Sequence, residues 1–263
     1  MNASELFKAG QLQQAVDAQI KEVKKNAADP TKRMFLFELA AFAGDLDRAK
    51  RQIEAINYPE PERQHVIFSY RKLLDSELVR RAVLREGQLP HFLSPPTEHV
   101  QLRLQAVKAL KEDKPAEAAG LVGKANEQAP VLKGTLNGKA FTSLRDCDDL
   151  FAGVLEVMAQ GRYSWVPLEQ VEALAMNPPK APRDLLWFPA RLTLRDGQTG
   201  PVFLPALYPF SHEAADDNVK LGRMTDWRQA DGGPVLGLGQ RTFLVDGAAS
   251  GLLEWREVQL VGE

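Results

Sequence analysis

Apolar side chains recur at helical spacing through the first half of the chain. In EPERQHVIFSYRKLLDSELVRRAVLREG the positions Val66, Tyr70, Leu73, Leu74, Leu78 and Ala82 fall on one helical face, and the pattern stops at Gly87. A loop with Leu89-Pro90 and Ser94-Pro95-Pro96 follows, and Thr97 is placed to N-cap a helix whose apolar face carries Val100, Leu104, Val107 and Leu110. Upstream, Gly10-x-Leu12-x-x-Ala15 recurs as Gly44-x-Leu46-x-x-Ala49, a shift of 34 residues, which is the tetratricopeptide period. The glycine lets one helix end tightly before the next, and the small alanine allows close approach where helices cross. A degenerate third copy begins at Asp113, where Ala116, Ala118 and Ala119 lead toward Pro130.

After Pro130 the pattern changes. Gly134-Thr-Leu-Asn137-Gly138 is a turn signal. Leu150, Phe151, Val154, Leu155 and Met158 then predict one more helix, stopped at Gly161, and a brief helix is expected over Leu168 to Ala175. Strands dominate the rest: Tyr163-Ser-Trp165-Val, LLWFPARLTL, PVFLPALY, RTFLV and LLEWREVQL, separated by Asp196-Gly197, a long polar loop and Asp246-Gly247. Pro189 and Pro205 interrupt two of these runs, which predicts edge strands or bulges there. The expected fold is therefore a multidomain α+β protein: tetratricopeptide-like helical repeats over residues 1–133, then an α+β part over 134–263 with a small, mostly antiparallel sheet and short helices.

Composition narrows the function classes. Among 263 residues, 33 basic side chains stand against 35 acidic ones, and no basic tract offers a footprint for a phosphate backbone, so nucleic acid is excluded as a first expectation. No apolar run is long enough to span a bilayer, and the amphipathic N-terminus carries Glu5, Asp17 and Glu22 where a signal peptide would be apolar. With a single cysteine, Cys147, no internal disulfide is possible, and a cytoplasmic location is expected.

Candidate chemistry is sparse. GGPVLGLGQRTF is rich in glycine, but no Gly-Lys-Ser/Thr follows and a strand rather than a helix comes next, so it fails as a phosphate loop. Gly237 and Gly239 would instead share one strand face and leave room for an aromatic ring or another backbone. Cys147 would need a base from His65, His91, His99 or His212, and the aspartates around it disfavour a thiolate; they fit better as caps for the helix expected near Leu150. His212, Glu213, Asp216 and Asp217 share one acidic loop, but without the alternating order of a calcium loop, so no metal or cofactor is expected. Trp227 in LGRMTDWRQ lies in a polar setting beside Arg223, Asp226 and Arg228, which suits a protein contact as well as it suits packing.

The ordered motifs LNGKAFTSLRDCDDLFAGVLEVMAQGRYSWVPLEQV, RDLLWFPARL, GPVFLPALYPFS, LGRMTDW and GLGQRTFLV, together with the N-terminal repeat segment and PPTEHVQLRLQA, make the chain similar to the ImpE/SciE family, also called TagJ. The resemblance implies a cytoplasmic, non-enzymatic accessory protein of a bacterial type VI secretion system. It further implies a partner in the small contractile-sheath subunit, through a helix near that subunit's N-terminus, with a link to the ClpV-type ATPase. Arg223, Asp226, Trp227, Gln240 and Arg241 are the expected partner-binding residues; no catalytic residue is carried over. The alternatives are a helical-repeat scaffold or chaperone of another pathway, and an enzyme built on Cys147 or the His212–Asp217 loop.

Overall fold

A computed structural model describes residues 1–262. Seven helices come first: α1 (Ala3–Lys8), α2 (Leu12–Lys25), α3 (Pro30–Phe42), α4 (Leu46–Glu54), α5 (Pro61–Glu86), α6 (Glu98–Lys111) and α7 (Pro115–Gln128). Local chemistry sets their ends. Asn2 and Glu5 form a capping box on α1, Asp29 accepts from Thr31 N at 2.9 Å with Pro30 in the first turn of α3, and Asp45 caps α4 through Arg48 N at 2.9 Å. Thr97 stands where an N-cap was expected, although its hydroxyl makes no capping bond.

The repeat has a physical basis at its three junctions. Gly10 and Gly44 adopt φ +78° and +76°, and Asp113 adopts the same left-handed region at φ 56°. At each, the next residue's N–H reaches back to the same relative carbonyl: Gln11 N to Leu6 O at 2.9 Å, Asp45 N to Ala40 O at 3.0 Å and Lys114 N to Ala109 O at 2.9 Å. The alanine of each copy, Ala15, Ala49 and Ala118, is completely buried, as close helix crossing requires. On α5 the expected face is shifted: Ile67, Tyr70, Leu73, Leu74 and Val83 are buried, while Val66 and Leu78 are exposed.

The second half contains β1 (Gly134–Leu136), β2 (Lys139–Phe141), β3 (Leu144–Asp146), β4 (Val154–Ala159), β5 (Arg162–Pro167), β6 (Val171–Met176), β7 (Trp187–Leu194), β8 (Thr199–Pro205), β9 (Thr225–Arg228), β10 (Leu236–Gly239), β11 (Thr242–Val245), β12 (Ala248–Gly251) and β13 (Glu257–Leu260), with a one-turn helix α8 (Asp217–Lys220) before β9. An eight-stranded antiparallel sheet runs β2-β1-β13-β6-β7-β8-β4-β5, beside a three-stranded sheet β12-β11-β3 and the β9–β10 hairpin. Asn137 and Gly138, at φ 51° and 79°, make the tight turn that joins β1 to β2.

The two helices expected over 150–161 and 168–175 are corrected to strands. β4 is buried on both faces: Val154 and Met158 join the core cluster that includes Phe37, Tyr70 and Leu74, whereas Leu155 and Val157 join the opposite cluster with Phe243 and Trp255. A doubly covered strand is apolar at almost every position, so a helical spacing can be picked out of it by chance. Leu168–Gln170 is a single 3-10 turn that leads into β6. The sheet is larger than expected for the same reason. Pro189 is also not on an edge: β7 lies between β6 and β8, but its pairing with β6 ends at Ala190, so the N–H missing at Pro189 is not needed.

The large sheet is the middle layer. One face carries Val154, Met158, Tyr163, Trp165 and Trp187 against the helices; the other carries Val166, Phe188 and Leu204 against Phe243, Leu252 and Trp255.

Candidate functional site

The elements following β8 bring the chain back across the helices. Arg223 donates to Phe7 O at 2.7 Å and to Lys8 O at 3.1 Å, and so caps the C-terminal carbonyls of α1. Asp217 accepts from Leu12 N at 2.8 Å, supplying the N-terminal cap that Gln11 does not provide for α2. Both ends of the Gly10 junction are thus held by residues some two hundred positions away. Arg81 reaches Gly44 O at 3.1 Å, and the His212 ring lies so close to Gly44 that an added Cβ would sit 2.0 Å from it.

The acidic residues of this loop are held by protein groups. Asp216 caps α8, Asp217 caps α2 and pairs with Lys220 at 2.8 Å, and Glu213 pairs with Arg85. Among the described residues no cluster of potential metal ligands is assembled. Burial first, and then the charge of Arg81, pushes the His212 imidazole down to about 4. The unfolded chain takes up a proton at this histidine between its ordinary value near 6.5 and about 4, so acidification through that window removes stability. His212→Gln is expected to lose less melting temperature than the parent between about pH 7 and about pH 4.5. Burial, then the charge of Asp146, pushes the Asp148 carboxyl up to about 7, so it titrates in the opposite sense, but it is common to both proteins and the difference in calorimetric slopes isolates His212.

Cys147 follows β3, its N–H bonded to Thr242 O at 2.9 Å. Burial, then the charge of Asp146, pushes its thiol up to about 11, against nucleophilic use. No helix begins at Leu150; instead Asp148 accepts from Leu150 N at 2.8 Å and Phe151 N at 3.3 Å in a turn. Each histidine is placed elsewhere: His99 bonds Glu169 at 2.8 Å, His91 bonds Ser164 at 3.3 Å, His65 is exposed on α5 and His212 covers Gly44.

Arg241 is corrected from a surface residue to the centre of the molecule. It is 1% exposed and donates to Asp146 Oδ2 at 2.6 Å and to Glu156, with its guanidinium 4.9 Å from the Phe151 ring and 5.0 Å from the Tyr208 ring. Glu156 also takes a two-point contact from Arg80 of α5, both bonds 2.7 Å, and a bond from the Tyr163 hydroxyl, which itself accepts from Trp165 Nε1 at 2.7 Å. Tyr208 donates to Asp146 at 2.6 Å. A buried network of this kind ties α5 to β3, β4 and β5. An arginine between two short strands, next to a glutamine, carries no sequence signal of such burial.

The rest of the expected contact set lies around the β9–β10 hairpin. Trp227 is 42% exposed, its inner face against Tyr208 at 5.8 Å, so packing and exposure coexist. Asp226 is exposed on the same strand and Gln240 is half-buried at the end of β10. Arg223 is exposed but spends its guanidinium on α1.

Beside this hairpin runs a groove of about 280 Å³ between α5, α6 and β10, and it was not anticipated from the sequence. Leu84, Val107, Leu110, Leu150, Phe151 and Leu236 form its apolar wall, Asp148 lies at its base, and Arg85, Lys111 and Arg228 line it as cations. Phe210, at φ 62°, holds its ring 4.5 Å from the Arg85 guanidinium and 5.8 Å from that of Arg228. Nothing in the sequence around Pro209-Phe210 signals that left-handed backbone.

Residues 138–259 match the ImpE protein family model. The chain is 34% identical over 258 residues to the type VI secretion system accessory component TagJ of Pseudomonas aeruginosa, covering 98% of this chain and 90% of that one. The crystal structure of protein VPA1032 from Vibrio parahaemolyticus shares the fold, with a TM-score of 0.89 over 99% of this chain and 98% of that one at 24% identity. A relationship of that depth along nearly the whole length, with the family model matched through the sheet, places the chain in the ImpE family.

Proposed function

We propose that this protein is a non-enzymatic accessory component of a bacterial type VI secretion system, and that the groove beside the β9–β10 hairpin receives an amphipathic helix near the N-terminus of the small contractile-sheath subunit. The secretion role is supported by the 34% identity to TagJ. The observation that carries the docking reading is the groove itself: an apolar wall lined by Arg85, Lys111 and Arg228, with the exposed face of Trp227 next to it. Such a surface suits a helix with one apolar face and acidic flanks. On this reading the N-terminal helices are a degenerate tetratricopeptide-like array over residues 1–133, the part from 134 onward presents the hairpin, and Asp226 and Gln240 border the contact. A complex with a cytoplasmic sheath subunit would bring the ClpV-type ATPase within reach of the same assembly.

The full chain titrated with the N-terminal helix of the sheath subunit, as a synthetic peptide, is expected to bind with micromolar affinity. Trp227→Ala and Arg228→Glu should each weaken binding about tenfold, equivalent to about 1.4 kcal/mol; Arg228→Glu should leave the melting temperature unchanged, whereas Trp227→Ala also uncovers Tyr208 and lowers it. Normal binding by both variants would remove the groove from the proposal; failure of the parent to bind either the peptide or the full-length subunit would remove the partner.

A further inference from the structure

The three cations that line the groove beside the β9–β10 hairpin are not equally available. Lys111 donates to Glu86 O at 2.7 Å and so caps the C-terminus of α5. Arg85 pairs with Glu213 in the turn after β8. Arg228 is exposed, and among the described residues it makes neither an ion pair nor a hydrogen bond through its guanidinium. Asp226 shares the strand face of Arg228 by the period of two, but its carboxylate turns back onto Trp227 N at 2.8 Å. Asp148, at the base of the groove, is committed to Gly237 N at 2.7 Å and Leu150 N at 2.8 Å.

Phe210 determines where the uncommitted charge stands. Its ring lies 4.5 Å from the Arg85 guanidinium and 5.8 Å from that of Arg228, and the attraction of a cation to a ring face limits how far the arginine swings into solvent. The backbone under the ring is pinned. Tyr208 N donates to Gly239 O at 2.9 Å, the Ser211 hydroxyl bridges Tyr208 O at 2.6 Å and Gly239 N at 2.7 Å, and Glu213 N donates to Phe210 O at 2.9 Å. A bulky residue at φ 62° persists only where its surroundings impose it. In the hairpin register Arg228 stands directly opposite Leu236, which belongs to the apolar wall. The open charge therefore borders the apolar surface at one defined place.

We propose that a helix docked in this groove presents one carboxylate to Arg228, from a glutamate or aspartate three or four positions away from the apolar residue that lies on Leu236. Arg228 is then the specificity-determining residue and Phe210 its positioning residue. The inference rests on the groove being the helix site. A spacing of three or four residues is the distance between neighbours on one helical face, which matches the juxtaposition of Leu236 and Arg228. A guanidinium fork takes a carboxylate by two parallel bonds, whereas acids elsewhere on the helix would meet cations already engaged. The apolar wall supplies affinity, and Arg228 fixes register and discriminates against a basic helix.

The test replaces each acidic residue of the amphipathic peptide used above by lysine, one at a time, and titrates every peptide by calorimetry into the parent chain and into Arg228→Glu. One replacement only should weaken binding to the parent at least about tenfold, and the same peptide should bind Arg228→Glu at least about tenfold more tightly than the unmodified peptide does. Lys111→Gln should bind the unmodified peptide within about twofold of the parent. Phe210→Leu keeps an apolar side chain but loses the ring face. It should weaken the unmodified peptide about threefold and leave a peptide with glutamine at the critical position unchanged, a coupling that a purely structural role would not produce. A parent that binds, but with no rescuing position or with several acids of equal weight, overturns the single-carboxylate inference and leaves the groove in place. A tenfold loss in Lys111→Gln does the same, and equal weakening of both peptides by Phe210→Leu overturns its positioning role. A parent that binds none of the peptides removes the helix site, and this inference with it.

Discussion

Glu156→Gln is expected to lower the melting temperature by roughly 6–20 °C, from about 3–5 kcal/mol for a broken buried ion pair and about 2–4 °C per kcal/mol in a chain of this size. Glu156 is 1% exposed and sits between the guanidinium groups of Arg80 and Arg241, with the Tyr163 hydroxyl on the same carboxylate. Burial raises its pKa, but the two arginine charges outweigh that and hold the carboxyl below its ordinary range. Glutamine preserves volume and can accept one of these bonds, but it cannot balance charge. Arg80 would keep Glu77 at 3.6 Å and Arg241 would keep Asp146 at 2.6 Å, leaving each cation one carboxylate short of its present surroundings. Because Arg80 belongs to α5 and Glu156 to β4, the loss falls on the joint between the helical layer and the sheet.

Scanning calorimetry provides the number, and a double-mutant cycle tests the cause. Arg80→Met alone leaves Glu156 with Arg241; Arg80→Met combined with Glu156→Gln removes both halves of the pair. The double variant should be less destabilised than the sum of the singles by at least about 1 kcal/mol, since the orphaned charge is gone. A Glu156→Gln protein melting within about 2 °C of the parent, or strictly additive singles, would mean that the network contributes no net charge compensation.

Local signals in the sequence carried far, and their limits are equally local. The Gly10 and Gly44 repeat and its Asp113 variant located three helix junctions, because a left-handed residue after a helix is a requirement of the backbone alone. Asn137-Gly138 located a turn for the same reason, and that turn joins β1 to β2. β4 loses its alternation because it is covered on both faces, by the helices on one side and by Phe243 and Trp255 on the other, which come from distant parts of the chain; β6 buries Val171, Leu174 and Met176 on one face only, and the bulge between Val171 and Ala173 breaks its period of two. The site shows the same division. Trp227 was recognisable as an aromatic in polar company. The roles of Arg223, Asp217 and Arg241 were not, since their partners are Phe7, Leu12, Asp146 and Glu156, and no spacing rule links residues so far apart. The groove at Phe210 depends on three separate elements meeting.

The glycine-rich stretch GGPVLGLGQRTF supplies the second large effect. Gly239→Ala is expected to cost about 3 kcal/mol, from about 1–2 kcal/mol for a left-handed non-glycine residue and about 1–3 kcal/mol for overpacking. Gly239 has φ +83°, and its added Cβ would stand 2.1 Å from Met224 O, a backbone atom of the neighbouring strand connection that cannot swing away. Gly237→Ala separates the two causes. Its backbone is not left-handed, but its Cβ would lie 2.3–2.7 Å from the Tyr208 ring, which is fixed by bonds to Asp146 at 2.6 Å and Thr242 O at 2.8 Å and covered by Trp227. Gly247→Ala is the opposite control: φ +80°, with nothing within 4 Å of the new methyl group. Urea melts should therefore place Gly247→Ala at about 1 kcal/mol, Gly237→Ala above it, and Gly239→Ala highest. Gly237→Ala should in addition change the tryptophan fluorescence, because displacing Tyr208 moves the surface on which Trp227 rests. Equal costs at Gly247 and Gly239 would reduce the stretch to backbone conformation alone, whereas the expected order means that these glycines exist to let a strand close over a tyrosine and a carbonyl.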